Sequence, residues 1–173
     1  MADLPQFLTL KHNRDRSERV ELAVRRTTFT VISLIAVLAL LNVFGERPRE
    51  SNVSADAADL QVFAPTSLRG GLYYQGRLTV QPKRDIGKAT LVLDSGWTEQ
   101  MQINTIEPSP VGEASRGGKL TFDFGHLAPD DKLVVYLQFQ VNPTNVGRRS
   151  QDVELYDDTT LLARADRTVT VFP

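Results

Sequence analysis

Residues Lys132–Val141 read K-L-V-V-Y-L-Q-F-Q-V. Leu133, Val135, Leu137, Phe139 and Val141 alternate with Val134, Tyr136, Gln138 and Gln140. In an extended chain successive side chains point to opposite faces, so this stretch puts five apolar residues on one side and a largely polar set on the other. A strand with one greasy and one wet face belongs to an antiparallel sheet that covers a core on a single side.

The same period of two recurs on either side of this stretch. Upstream, Lys119–Phe124 turns Leu120, Phe122 and Phe124 inward; Met101–Ile106 and Lys88–Asp94 are shorter strands. Leu72–Gln81 is interrupted by Gly76, where a bulge is expected, and Leu60–Ala64 is the first strand. Pro108, Pro110 and the glycines of Glu107–Gly118 predict a long loop, and Arg69-Gly70-Gly71 a turn. Downstream, Gln151–Tyr156, Thr159–Arg164 and Arg167–Phe172 complete about eight short strands with no helical run among them. An antiparallel β-sandwich over residues 59–173 accounts for this rhythm, and about 115 residues suffice for one such core.

Before the strands lies Thr27–Gly45, T-T-F-T-V-I-S-L-I-A-V-L-A-L-L-N-V-F-G, with no charge. As a helix it would cover roughly 28 Å, close to the ~30 Å hydrocarbon core of a bilayer. It is too long for a typical signal-peptide apolar region, and Phe44 is followed by G-E-R-P-R-E, a poor cleavage context. The nearest small-x-small site, Ala55-Asp56-Ala57, begins eleven residues beyond Phe44. The expectation is an uncleaved single-pass transmembrane helix, residues 27–45.

Residues 1–26 carry six Lys/Arg, with Arg25 and Arg26 abutting the span, whereas Arg47 and Arg49 alone follow it before Arg69. This asymmetry puts the tail in the cytoplasm and the sandwich on the extracytoplasmic side of the cell membrane. The tail is read as loosely ordered to Leu10 and helical from about Ser17, a candidate N-cap, with Val20, Ala23, Val24 and Thr27 on one side. Residues 46–58 (E-R-P-R-E-S-N-V-S-A-D-A-A) read as a linker. Within the span Ser33, Ala36, Ala39 and Asn42 offer small or polar contacts for a second helix, while Asn42 also suits the outer headgroups.

Formal net charge is −1, made of +2 in residues 1–26 and −3 in the rest. Neither part has the basic face of a nucleic-acid binder. The absence of cysteine removes disulfides, thiolate metal sites and thiol nucleophiles, and points to a bacterial envelope more than to a eukaryotic exterior.

Gly118–Gly147, G-K-L-T-F-D-F-G-H-L-A-P-D-D-K-L-V-V-Y-L-Q-F-Q-V-N-P-T-N-V-G, resembles the C-terminal half of the immunoglobulin-like "conserved repeat" β-sandwich of bacterial surface proteins. The likeness lies in the G-H-L-A-P turn, the long alternating strand and Asn142-Pro143; Asp130-Asp131 stand where that family has glycine. The resemblance implies a non-catalytic envelope domain used as spacer, scaffold or interaction surface, and it transfers no site residue.

Chemistry finds little to build on. His126 is the one histidine of the strand-rich part, and neither Asp130-Asp131 nor Asp157-Asp158 has calcium-loop spacing. No catalytic residue, metal site or cofactor is expected, and the protein is read as not an enzyme. The candidate partners are the lipid bilayer and another membrane or envelope protein, with a cell-wall glycan as the alternative. Tyr74, Trp97 and Tyr136 are the candidate binding-surface residues. Of these, Trp97 either stacks a ligand or plugs the core.

Overall fold

The computed structural model describes residues 10–43 and 45–173. The chain divides into two compact units, Met1–Val43 and Phe44–Pro173. The loose order expected for the first residues lies outside the described part up to residue 9.

In the first unit helix α1 runs Leu10–Leu40. Ser17 is therefore inside the helix and does not cap it. No glycine or proline interrupts residues 6–44, so nothing in the polar segment stops the helix from extending towards the N-terminus. The other end also differs from expectation. Asn42 adopts φ 53°, its N–H donates to Ala39 O at 3.0 Å, and Val43 N–H donates to Leu38 O at 3.0 Å. These two bonds form a Schellman motif with Asn42 at the left-handed position, which asparagine tolerates better than most residues. The uncharged helical run is thus Thr27–Leu40, roughly 21 Å long, and not the whole of residues 27–45.

Among its described residues the second unit contains thirteen strands where the sequence pattern predicts about eight. β1 (Pro48–Ser54), β2 (Ala58–Pro65), β4 (Tyr73–Pro82), β9 (Leu133–Val141) and β6 (Met101–Glu107) form one five-stranded sheet in the order β1-β2-β4-β9-β6. A second runs β12 (Thr160–Ala165), β11 (Val153–Asp157), β5 (Ala89–Leu93), β8 (Lys119–Asp123), β7 (Gly112–Arg116). A short third sheet joins β10 (Gly147–Ser150), β13 (Thr168–Phe172) and β3 (Ser67–Arg69). The pairing is antiparallel except between β13 and β3, which run parallel. The inward faces of all three sheets share one core cluster, which makes the unit a β-sandwich.

The linker reading fails at β1, whose seven residues pair with β2 from Pro48↔Pro65 to Ser54↔Asp59. Its side chains are exposed or half-buried throughout, so it shows no apolar period, and its backbone pairing holds it in the sheet. The loop expected at Glu107–Gly118 contains β7 for the same reason. Gly76 makes no bulge: β4 pairs with β9 without a slip from Tyr73 to Val80. The extra residue lies in β6, between Ile103 and Thr105, with another irregularity at Leu155/Tyr156.

Between β5 and β6 a single 3-10 turn, Ser95–Trp97, carries the chain from one sheet to the other. Gly96 is required there, because a Cβ would lie 1.8 Å from Ser150 O. That backbone contact has no flexible side chain to yield.

The β1–β2 hairpin is tied to the end of β4 by a polar trio. Lys83 Nζ lies 2.6 Å from Asp59 Oδ1 and donates to Ser54 Oγ at 2.8 Å, while Ser54 Oγ donates to Asp59 Oδ1 at 2.6 Å. The Lys83 bond, followed by that of Ser54, holds the Asp59 carboxyl below its ordinary value of 3.8. A depressed folded-state pKa adds stability that is full above the unfolded value and is lost as pH falls through the folded one. The exposed trio should therefore loosen only below about pH 3.8. Replacing Lys83 by methionine should move the Asp59 titration, followed by carboxyl NMR, up towards that value. An unchanged titration would show that the lysine does not set it.

Candidate functional site

Of the three aromatic candidates, the structure leaves one on the surface. Tyr74 is 5% exposed and Trp97 is fully buried, which corrects both as surface residues. Tyr74 stacks on Phe139 with ring centroids 4.9 Å apart, and Trp97 is tilted against Phe139 at 5.3 Å. Trp97 Nε1–H donates to Asp152 O at 3.2 Å, satisfying the one polar group of the indole. Tyr74 Oη accepts from Gln151 Nε2 at 3.3 Å, and burial raises its pKa well above that of a free phenol. These rings close the core where β4, β9 and the 3-10 turn meet.

Tyr136 is 39% exposed, and Tyr73, the neighbour of Tyr74, is 65% exposed. Strand parity requires that one of the adjacent tyrosines face outward; it is Tyr73. Both belong to the outer face of the β1-β2-β4-β9-β6 sheet, whose register places residues in rows. Tyr73, Gln140 and Gln102 lie side by side across β4, β9 and β6. Gln75, Gln138 and Thr105 form the next row. The third holds Arg77, Tyr136 and Glu107, continued on β2 and β1 by Phe63 and Glu50. Arg77 sits over the Phe63 ring at 5.2 Å. Beyond the end of the first row, Gln100, Gln102, Gln140, Asn142, Met101 and Pro143 line a cleft of about 380 Å³.

A larger groove of about 540 Å³ opens between β6 and the β7–β8 hairpin, floored by Ile103, Ile106, Leu120 and Phe122. It marks where the edges of the two large sheets diverge.

A buried cation lies at the opposite edge of the sandwich. Arg167 is 6% exposed and donates through Nη1 to Val62 O at 2.7 Å and Arg49 O at 3.3 Å, and through Nη2 to Ala64 O at 2.7 Å. Its backbone N–H donates to Asp152 Oδ1 at 2.8 Å, and Asp152 Oδ2 in turn accepts from Arg164 Nη2 at 2.7 Å. Burial lowers the Arg167 pKa, with the Tyr74 hydroxyl pulling the other way. The residue clasps backbone carbonyls of β1 and β2.

No group of three or more His, Cys, Asp or Glu is placed to hold a metal among the described residues. His126 Nε2 pairs with Asp85 Oδ1 at 2.7 Å, both largely exposed. The acid pairs have structural partners: Asp131 Oδ2 accepts from Ala128 N–H within its own turn, Asp157 Oδ1 accepts from Lys88 N–H at the start of the neighbouring β5 region, and Asp130 and Asp158 take the positive φ of their turns. On α1, Ser33, Ala36 and Ala39 are exposed along the helix and Asn42 forms its stop. Arg25 lies over the Phe29 ring at 5.8 Å, and Thr30 Oγ1 donates to Arg26 O at 2.9 Å.

No protein-family model matches the chain, and no curated protein matches it. Among solved structures it is similar to a non-cellulosomal cohesin from Archaeoglobus fulgidus, at 18% identity over 61% of this chain and 84% of that one, with a TM-score of 0.37. The third cohesin ScaC of Acetivibrio cellulolyticus, solved with the ScaB dockerin, gives 13% identity over 61% and 92%, with a TM-score of 0.41. A GH20 exo-β-N-acetylglucosaminidase from Vibrio harveyi gives 16% over 74% of this chain and 18% of that one, with a TM-score of 0.33.

Proposed function

We propose that this protein is a single-pass, non-catalytic interaction subunit of a bacterial cell envelope. In this reading α1 crosses the cytoplasmic membrane with its N-terminus inside, and the β-sandwich stands outside as an accessory or structural partner of another membrane or envelope protein. The observation that carries it is Ser17–Leu40, a helix of mean hydropathy 1.6 with none of its most apolar window buried in the protein. Water solvates such a surface poorly, whereas a bilayer accepts it. The uncharged run is shorter than the hydrocarbon core, and Arg25 and Arg26 complete the span by extending their apolar stems while their charged ends reach the headgroups. Their excess on the N-terminal side supports the inward tail. The G-H-L-A-P turn and β9 support kinship with the conserved-repeat domains of surface proteins. Ser33, Ala36 and Ala39 offer the close helix contact through which such a subunit would dock.

The cysteine-free chain allows a direct test with single cysteines. On intact cells a membrane-impermeant maleimide should label Ser109→Cys in the sandwich and spare Ser17→Cys until the membrane is opened. The reverse pattern would overturn the orientation. Labelling of both would overturn the single span. Mild-detergent purification should then recover a membrane protein in stoichiometric amount, still retained when the sandwich is deleted.

A further inference from the structure

We propose that the outer face of the β1-β2-β4-β9-β6 sheet binds a neutral glycan chain, on a platform bounded by Tyr73 and Tyr136 and ending in the amide-lined cleft. Six of the nine glutamines of the whole chain, at 61, 75, 81, 102, 138 and 140, point outward from this one sheet. Solvated strand faces are ordinarily served by threonine and charged residues, so the concentration calls for a ligand. The row Tyr73–Gln140–Gln102 and the row Gln75–Gln138–Thr105 contain no charge. Tyr136 lies one row further on, about 14 Å along the strands from Tyr73, and three strands make the platform about 10 Å wide.

The chemistry of these rows selects the ligand. A glutamine amide both donates and accepts, and so does a sugar hydroxyl, so each can satisfy the other without a charged group losing its water. The exposed tyrosine rings present flat apolar faces with a polar tip, suited to the C–H face of a sugar ring. The cleft continues the pattern, with Gln100, Gln102, Gln140 and Asn142 around about 380 Å³, a size within the ~300–1,000 Å³ of small-molecule sites. Its uncharged lining would receive a terminal ring. An acidic or basic ligand finds no counter-charge in the two rows. A protein partner would be expected to anchor large apolar side chains, and the two charge-free rows present no aliphatic residue: Leu78, Leu137 and Phe139 of the same strands point into the core, and the outward Phe63 is covered by Arg77.

This inference rests on the exterior placement only for access to a glycan in the cell. Binding itself is measured with purified full-length protein in detergent micelles, so an inverted labelling pattern and a binding failure are separate results. The probes are cellohexaose and chitohexaose, with an oligogalacturonate of equal length as the charged control. At least one neutral hexasaccharide should bind by calorimetry and shift the amide side-chain resonances of Gln138 and Gln140. Tyr73→Ala and Gln138→Ala, both at exposed positions, should each weaken it about tenfold, the ratio that ~1.4 kcal/mol produces, with circular dichroism unchanged. The proposal is overturned if neither hexasaccharide binds, if binding survives both substitutions, or if the acidic control binds equally well. Stoichiometric capture of a protein that is lost with the same two substitutions would overturn it in favour of a protein partner.

Discussion

Trp97→Ala is expected to destabilise the sandwich by about 3–5 kcal/mol, the range for removing a large aromatic side chain from a packed core. The indole is fully buried and lies against Phe139, which in turn stacks on Tyr74, so its loss leaves a void bounded by rings that cannot collapse without rotating. The neighbouring Gly96 is packed against the backbone of Ser150, which leaves this turn little freedom to move into the gap. Trp97→Phe should cost less, about 1–2 kcal/mol, because the ring is partly replaced and the Asp152 carbonyl keeps a second donor in the Asp94 N–H. Urea denaturation followed by far-ultraviolet circular dichroism measures both. A loss below about 1 kcal/mol for Trp97→Ala would mean that the indole does not hold the two sheets together.

Arg167→Met is the second large effect, about 3 kcal/mol. The substitution keeps most of the buried stem but removes two short charge-assisted bonds to Val62 O and Ala64 O, at roughly 1.5–3 kcal/mol each, against the relief of a buried charge. Lysine should not rescue it, since one ammonium on a shorter side chain cannot reproduce a planar fork aimed at three carbonyls. The loss should be local before it is global. Hydrogen exchange should show the β1 amides opening first, because Arg167 also holds Arg49 O on that strand. Unchanged protection along β1 would show that pairing with β2 alone secures it.

The residues that revealed the fold are those with one face in the core. β9 and β4 were readable because buried and wet positions alternate along them, and the burial of Val135, Leu137, Phe139 and Val141 follows the sequence pattern. β1 and β7 were not, because P-R-E-S-N-V-S and G-E-A-S-R have no apolar side to display and hold their place through backbone bonds. β3 and β10, at three and four residues, are too short to show any period. The end of α1 is hidden in the sequence because the uncharged run continues past it, and the stop depends on one asparagine entering the left-handed region. Trp97 was ambiguous for a deeper reason. Whether it faces water is decided by Phe139, which reaches it from β9 and is itself stacked on Tyr74 of β4. The outer platform shows the same limit: parity announces that one of Tyr73 and Tyr74 faces out, but only register reveals that it shares a row with Gln140 and Gln102.

Arg167 has a temporal consequence as well. Its bonds join residues 105 and 103 positions apart, and the one to Arg49 spans 118. During translation at ~5–20 residues per second, the earliest hairpin emerges roughly 5–20 s before the residue that clasps it leaves the ribosome. Until then Val62 O and Ala64 O lack their charged donor, and the nascent chain carries an unfinished edge. Folding must therefore await the last strand, which makes closure a late, long-range event and places this sandwich among slow folders.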